Sequence, residues 1–169
     1  WNRHLRSDWD NLIWRPWLSL LTRDHSVIRY DWRGCGLSDR QGVEYSHEKY
    51  LEDCEAVIEA AQLKSFIMIG MAGGGTTAIT YAARHPERVS HLVLLGSQAR
   101  GYLIRGMSPR QEQQAEARLK MIELGWPNDN PAYGQFFTVL HMPDASAEQI
   151  RSYNDLLRLT TSAENAIKL

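Results

Sequence analysis

The stretch Phe66-Ile-Met-Ile-Gly-Met-Ala-Gly-Gly-Gly-Thr-Thr-Ala78 decides the reading of this chain. An apolar run ends in Gly70-Met71-Ala72-Gly73-Gly74, and a helical pattern follows at once. That is the layout of a nucleophile elbow, G-x-S-x-G, in which a strand turns sharply into a helix and presents a serine hydroxyl. Here Ala72 holds the serine position. Glycines allow strand and helix to approach closely and permit the strained backbone of such a turn. The backbone N–H of Gly73, one residue after the nucleophile position, is then the expected oxyanion donor, and the helix from Gly74 aims its positive dipole end at the same point. A structural reading stands beside this one: any α/β protein can carry a glycine-rich strand-to-helix turn.

Two rival motifs use the same residues. Gly73-x-Gly75-x-x-Ala78 fits the dinucleotide fingerprint, which needs an acidic residue about 20 positions on, at the end of the next strand. That strand ends Leu95-Gly96-Ser97, with no acid. A phosphate-binding P-loop fails because no Lys-Ser/Thr follows the glycines. No cofactor is expected.

Outward from the elbow the pattern alternates. Residues 8–22 read as a helix, with Trp14, Trp17, Leu18 and Leu21 at helical spacing. Ser26–Trp32 reads as a strand, and Arg33–Arg40 as a glycine-punctuated loop. Ser46 is the expected N-cap of a helix to about Gln62, with Tyr50, Leu51, Cys54, Val57, Ile58 and Ala61 on one face. Ser65–Ile69 reads as a strand of the buried parallel kind, followed by a helix to Arg84 and a strand at Val89–Leu95. The alternation argues for a parallel α/β sheet. After Gly101 only helices are expected, at 109–124, 131–141, 147–160 and 163–169. Two of them start from capping boxes at Ser108 and Ser146. We divide the chain accordingly into a partial core, 1–100, and a helical cap, 101–169.

Composition fits a globular domain and little else. Of 169 residues 43% are apolar and 23% charged, and the net charge is −1, so no global field favours nucleic acid or a membrane surface. No apolar run reaches a membrane span. Cys35 and Cys54 define neither a disulfide framework nor a metal site. A cytoplasmic location is the default expectation. The chain begins at Trp1 in mid-pattern, with no strand before its first helix, and reads as a segment of something longer.

Other chemistry-bearing residues are weighed in the same way. In Asp31-x-Arg33-Gly-Cys-Gly-Leu-Ser-Asp39, either aspartate can pair with Arg33, and a loop brace is the expected role. Of six histidines, only His141 lies well downstream of Ala72, as a triad histidine must. It sits in a helical segment, and none of the six is expected to be a catalytic base. Trp1 and Asn2 precede the first helix, where an elbow enzyme draws its second oxyanion donor. A plain helix lead-in around His4 is the alternative. Trp9, Trp14 and Trp17 are expected to pack rather than to line a ligand site.

Taken together, the elbow, the Asp31–Asp39 loop and Tyr81-Ala-Ala-Arg-His-Pro-Glu-Arg-Val-Ser-His-Leu-Val-Leu94 resemble the α/β-hydrolase superfamily. The stretches Trp9…Trp17, Tyr30–Asp39, Ala99-Arg-Gly101 and Ser162-Ala-Glu-Asn165 resemble a narrower bacterial group, whose hydrolase-like domains are fused to LuxR-type regulators or adenylate-cyclase modules. The resemblance implies an incomplete parallel sheet flanked by helices, with a cap. It also implies a strand before Trp1, lying between the strands at 26–32 and 65–70, and a triad acid and histidine beyond Leu169. That group usually reads Gly-x-Ser-Gln-Gly, so Ala72 and Gly73 both depart from it.

The implied functions differ in class. One is hydrolysis of small ester-like substrates by descent, with ordinary serine-hydrolase turnover not expected. Another is a small-molecule sensor without catalysis. A third keeps general-base chemistry without a nucleophile. The expected ligand contacts are Trp1, Asn2 and Met71 around Ala72 and Gly73. The expected partner is a small molecule, with no direct nucleic-acid contact and no membrane. Self-association or a fused output domain is compatible with the resemblance.

Overall fold

A computed structural model describes residues 3–101, 106–126 and 131–168. By contact the chain falls into two compact units, Glu44–Ala115 and the pair of segments Trp1–Val43 with Glu116–Leu169. The motif-based division at 100/101 falls elsewhere.

The first of these units holds the α/β pattern. Helix α2 (His47–Ala60) starts where Ser46 caps it, the Ser46 side chain accepting from the Lys49 N–H. Leu51, Cys54 and Ile58 are its buried face, at the i, i+3, i+7 positions of one helical stripe. Strand β1 (Phe66–Met71) leads into α3 (Gly74–Arg84), and β2 (Val89–Leu95) follows. β1 and β2 are parallel neighbours, with Ile67 opposite His91 and Met71 opposite Leu95. An irregularity beside Phe66 leaves Ser90 extra in β2, where its hydroxyl donates to the Phe66 carbonyl at 3.1 Å. Buried Gly75, Thr77, Ala78 and Tyr81 give α3 its packed face, and the Tyr81 ring lies 6.0 Å from that of Phe66.

Both strands match the sequence reading, but their surroundings do not. A buried parallel strand is apolar on both faces because both are covered. Here Ile67 is 50% exposed and Val93 47%. Helix α3 packs on the ladder, yet every β2 residue after Val89 is exposed, on both faces of that strand. Apolar composition records that a face is made to be covered, and carries no information about what covers it.

The other unit holds the helices. A 3₁₀ turn at Ser7–Trp9 precedes α1 (Trp14–Asp24), so the helix expected over 8–22 is interrupted. The cause is Asn11, whose side-chain carbonyl takes the Ile13 and Trp14 N–H groups at 3.0 and 3.2 Å. Such local side-chain capture competes with a continuous helix. The tryptophans also depart from expectation: Trp9 and Trp17 are about half exposed. Guanidinium groups stack there instead, Arg3 over Trp14 at 3.9 Å and Arg29 over Trp9 at 5.6 Å.

Helix α4 (Pro109–Gly125) is shared between the units, and α5 (Pro131–His141), α6 (Ala147–Thr160) and α7 (Ala163–Lys168) follow within one of them. Both expected capping boxes form, at Ser108 with Gln111 and at Ser146 with Gln149. Ile122, Phe137, Tyr153, Leu157 and Ala166 make the core of these helices. No helix among the described residues is long and apolar enough to cross a membrane.

The strand expected at Ser26–Trp32 is absent: among the described residues this segment joins no sheet. A strand exists only through its neighbour's hydrogen bonds, and β-branched composition alone supplies no neighbour. Side chains hold the segment instead. Arg29 donates to the fully buried Asp8 at 2.7 Å and to the Leu5 carbonyl at 3.1 Å, and Arg3 reaches the same Asp8 carboxylate at 2.8 Å.

Candidate functional site

The turn at Gly70–Gly75 is built by three close approaches. A Cβ on Gly70 would lie 2.8 Å from both the Ala78 Cβ and the Gly75 Cα. A Cβ on Gly75 would lie 2.1 Å from the Ser97 Cβ. Strand end and helix start therefore touch through bare backbone, which is why both positions are glycine. Between them Ala72 adopts φ +47°. For an L-residue with a side chain this left-handed conformation costs roughly 1–2 kcal/mol, and such strain persists only where surroundings impose it. They do: the Ala72 N–H donates to the Leu95 carbonyl at 2.9 Å, and the Gly75 N–H donates to the Ala72 carbonyl at 3.1 Å.

This geometry puts the Ala72 side-chain position, exposed, at the tip of the turn. Gly73 follows with helical angles (φ −57°, ψ −30°) as the N-cap of α3, and it too is exposed. No side chain caps this helix start. The first N–H groups of a helix have no intrahelical acceptor, so those of Gly73 and Gly74 are available to an anion or a polarised carbonyl. Met71 closes β1, half-buried beside Ala72. Trp1 and Asn2 lie outside the described residues.

The other chemistry-bearing residues fall into structural roles. His4 accepts at Nδ1 from the Ser7 N–H at 3.3 Å, a lead-in to the 3₁₀ turn. His141 Nδ1 pairs with the Phe137 carbonyl of its own helix at 2.8 Å. His85 lies between Glu55 and Glu87, at 3.7 and 3.8 Å, and stacks on Tyr81. No cluster able to hold a metal ion occurs among the described residues.

Asp31 is a loop brace, as expected, though through other partners. Its carboxylate accepts from the backbone N–H groups of Leu5 (3.1 Å) and Leu37 (2.9 Å). Burial raises the Cys35 thiol pKa in the same loop.

Ser97 escaped the sequence reading. It follows Gly96, whose φ of +58° folds the chain back after β2. Its hydroxyl donates to the Gly70 carbonyl at 2.9 Å. The available signal was a small polar residue directly after an apolar strand and a glycine.

A glycine-tight strand–turn–helix with a left-handed residue at its tip, set beside a parallel strand, marks an α/β protein. Residues 8–163 match the family model described as alpha/beta hydrolase fold, and the chain belongs to that family. It is 34% identical over 90 residues to the 2-hydroxymuconate semialdehyde hydrolase of Pseudomonas sp. (strain CF600), a match covering 53% of this chain and 31% of that protein. It is 34% identical over 100 residues to the cis-3-alkyl-4-alkyloxetan-2-one decarboxylase of Shewanella oneidensis, covering 57% of this chain and 31% of that protein. The crystal structure of a hydrolase from Pseudomonas aeruginosa PA01 superposes with a TM-score of 0.64 at 22% identity, over 92% of this chain and 58% of that one. The chain thus spans about a third of the length of these two curated relatives.

Proposed function

We propose that Gly70–Gly74 is a nucleophile elbow from which the nucleophile has been lost, in a protein descended from hydrolases of small ester-like substrates. Ala72 stands at the nucleophile position, and the Gly73 N–H is the oxyanion donor. The observation that carries this is the left-handed backbone at Ala72, between a parallel strand and a helix N-terminus. That conformation aims a side chain out of the turn, and here the side chain is a methyl group. A methyl carbon has no lone pair with which to attack a carbonyl. Loss of the nucleophile from a catalytic triad costs on the order of 10⁶ in turnover, so the elbow binds and polarises but does not acylate.

The test is p-nitrophenyl ester turnover by the intact protein, with Ala72 and as Ala72→Ser. Background rates are expected with Ala72, and a gain of several orders of magnitude is expected for Ala72→Ser. An acyl-enzyme trapped on the Ala72 protein would sink the proposal.

A second reading is favoured by the same alanine together with Gly73, which leaves two adjacent departures at the tip of an otherwise intact elbow. In it the site senses a small acyl or lactone ligand without turning it over. A flat thermal-shift screen of folded intact protein against such ligands would remove its support.

A further inference from the structure

We propose that Ser97 is a positioning residue of the elbow, which sets the direction of the Gly73 and Gly74 N–H groups from outside the turn. This deepens the proposed function and rests on the reading of Gly70–Gly74 as an elbow.

The argument is geometric. An oxyanion donor works only when its N–H is held on the position where charge develops. The direction of the Gly73 N–H is fixed by the first turn of α3 relative to the end of β1. The turn's own bonds close it locally: Gly75 N–H to the Ala72 carbonyl, and Thr76 Oγ1 to the Gly73 carbonyl at 2.8 Å. Those bonds do not fix the turn against the strand. Ser97 touches both sides of that joint. Its hydroxyl donates to the carbonyl of Gly70, the β1 residue two positions before the tip, and reaches the Leu95 carbonyl at 3.3 Å. Its Cβ sits where a side chain of Gly75, in the first turn of α3, would otherwise be. Leu95 in turn accepts from the Ala72 N–H. One side chain is thus hydrogen-bonded to the strand and packed on the helix start, and the left-handed Gly96 delivers it there.

The experiment uses the intact protein with Ala72→Cys as a probe. A thiol at a helix N-terminus has a pKa below the usual value of about 8.5. Cys35 and Cys54 are both buried and give little background. The pH dependence of alkylation then reads the field of the N–H groups at the tip. In Ala72→Cys the introduced thiol is expected to titrate about one unit or more below 8.5. Adding Ser97→Ala is expected to raise it by about half a unit or more, a roughly threefold loss of thiolate near neutrality, with circular dichroism unchanged. Adding Ser97→Thr, which keeps the hydroxyl, is expected to leave it low.

An undepressed thiol in Ala72→Cys alone breaks the elbow reading itself. A depressed thiol that Ser97→Ala does not move overturns the role of Ser97 and leaves the elbow standing. Should Ser97→Ala fail to fold, Ser97→Thr decides: a low thiol pKa upholds the proposal and a normal one overturns it.

Discussion

Two glycine-punctuated turns in this chain each follow a run of strand composition, and they are held in opposite ways. At Gly70–Gly75 the run before the turn is paired in a sheet, and the turn is defined by contact: Gly70 on Gly75, Gly75 on Ser97. At Arg33–Arg40 the run before it is unpaired, and the turn is defined by polar groups. The Asp31 carboxylate takes the Leu37 N–H. The Thr161 hydroxyl donates to the Gly34 carbonyl at 2.7 Å, and Asn165 Nδ2 donates to the Arg40 carbonyl at 3.0 Å. Arg40 bridges the Gly36 and Leu159 carbonyls at 2.7 and 2.6 Å. The packed turn leaves helix-start donors open at its tip, whereas the polar turn satisfies its own. On the proposed function, that difference suits the first to a ligand and the second to a brace.

The same substitution in both turns gives the sharpest contrast, and Gly36→Ala is the larger effect. Gly36 has φ +54°, and a Cβ there would lie 2.1 Å from Asp31 Oδ2. The left-handed penalty is roughly 1–2 kcal/mol. Displacing the buried carboxylate from the Leu5 and Leu37 N–H groups adds about 1–3 kcal/mol for donors left unsatisfied. We expect about 3 kcal/mol or more of destabilisation in chemical denaturation, and loss of hydrogen-exchange protection at Leu37. A change below about 1 kcal/mol would mean that Asp31 does not hold the loop.

Gly75→Ala is expected to cost less. Gly75 lies in α3 without a positive φ, so alanine brings no backbone strain and gains about 1 kcal/mol of helix propensity. Against this stands a clash with Ser97, worth about 1–3 kcal/mol in a packed site. The net expectation is a loss of about 0–2 kcal/mol, read from the denaturation midpoint. If Gly75→Ala were as damaging as Gly36→Ala, the division between a packed and a polar turn would not hold.

The two turns also differ in how much of them could be read from the sequence. The packed turn was legible because its determinants are local: an apolar run, glycines at fixed offsets and a helical stripe ending at Tyr81. The helix limits in the C-terminal half were legible for the same reason, since Ser108 and Ser146 carry their caps within three residues. The polar turn was not. Its partners Leu159, Thr161 and Asn165 lie more than 100 residues away, and hydroxyl-to-carbonyl bonds leave no periodic trace. Ser26–Trp32 failed as a strand because pairing belongs to two segments while composition belongs to one. Ser97 failed for a milder reason: a serine after a strand has many uses, and only the missing Cβ of Gly75 reveals this one.

The smallest effect is a titration of two buried groups, one in the polar turn and one on the helix that leaves the packed turn. Cys35 lies in the polar turn, and Tyr81 lies on α3, against Phe66 at the end of β1 away from the packed turn. Burial raises the pKa of each above its ordinary value. Each group is neutral when protonated, so the folded state holds these protons more tightly than the unfolded chain does. The corresponding stability is fully present below the unfolded values, about 8.5 for the thiol and about 10 for the phenol. It is lost as pH rises through the higher folded values. Unfolding free energy should therefore be insensitive to these groups near neutrality and fall in alkaline solution, with Cys35→Ala removing the earlier part of the decline. At pH 8 the Cys35 thiol should react with a disulfide reagent far more slowly than a free cysteine, because the Asp31, Thr161 and Asn165 bonds keep its loop closed. Rapid labelling of Cys35 in otherwise folded protein would show a loop that opens without unfolding, and would shift the rigid part of this molecule to the packed turn.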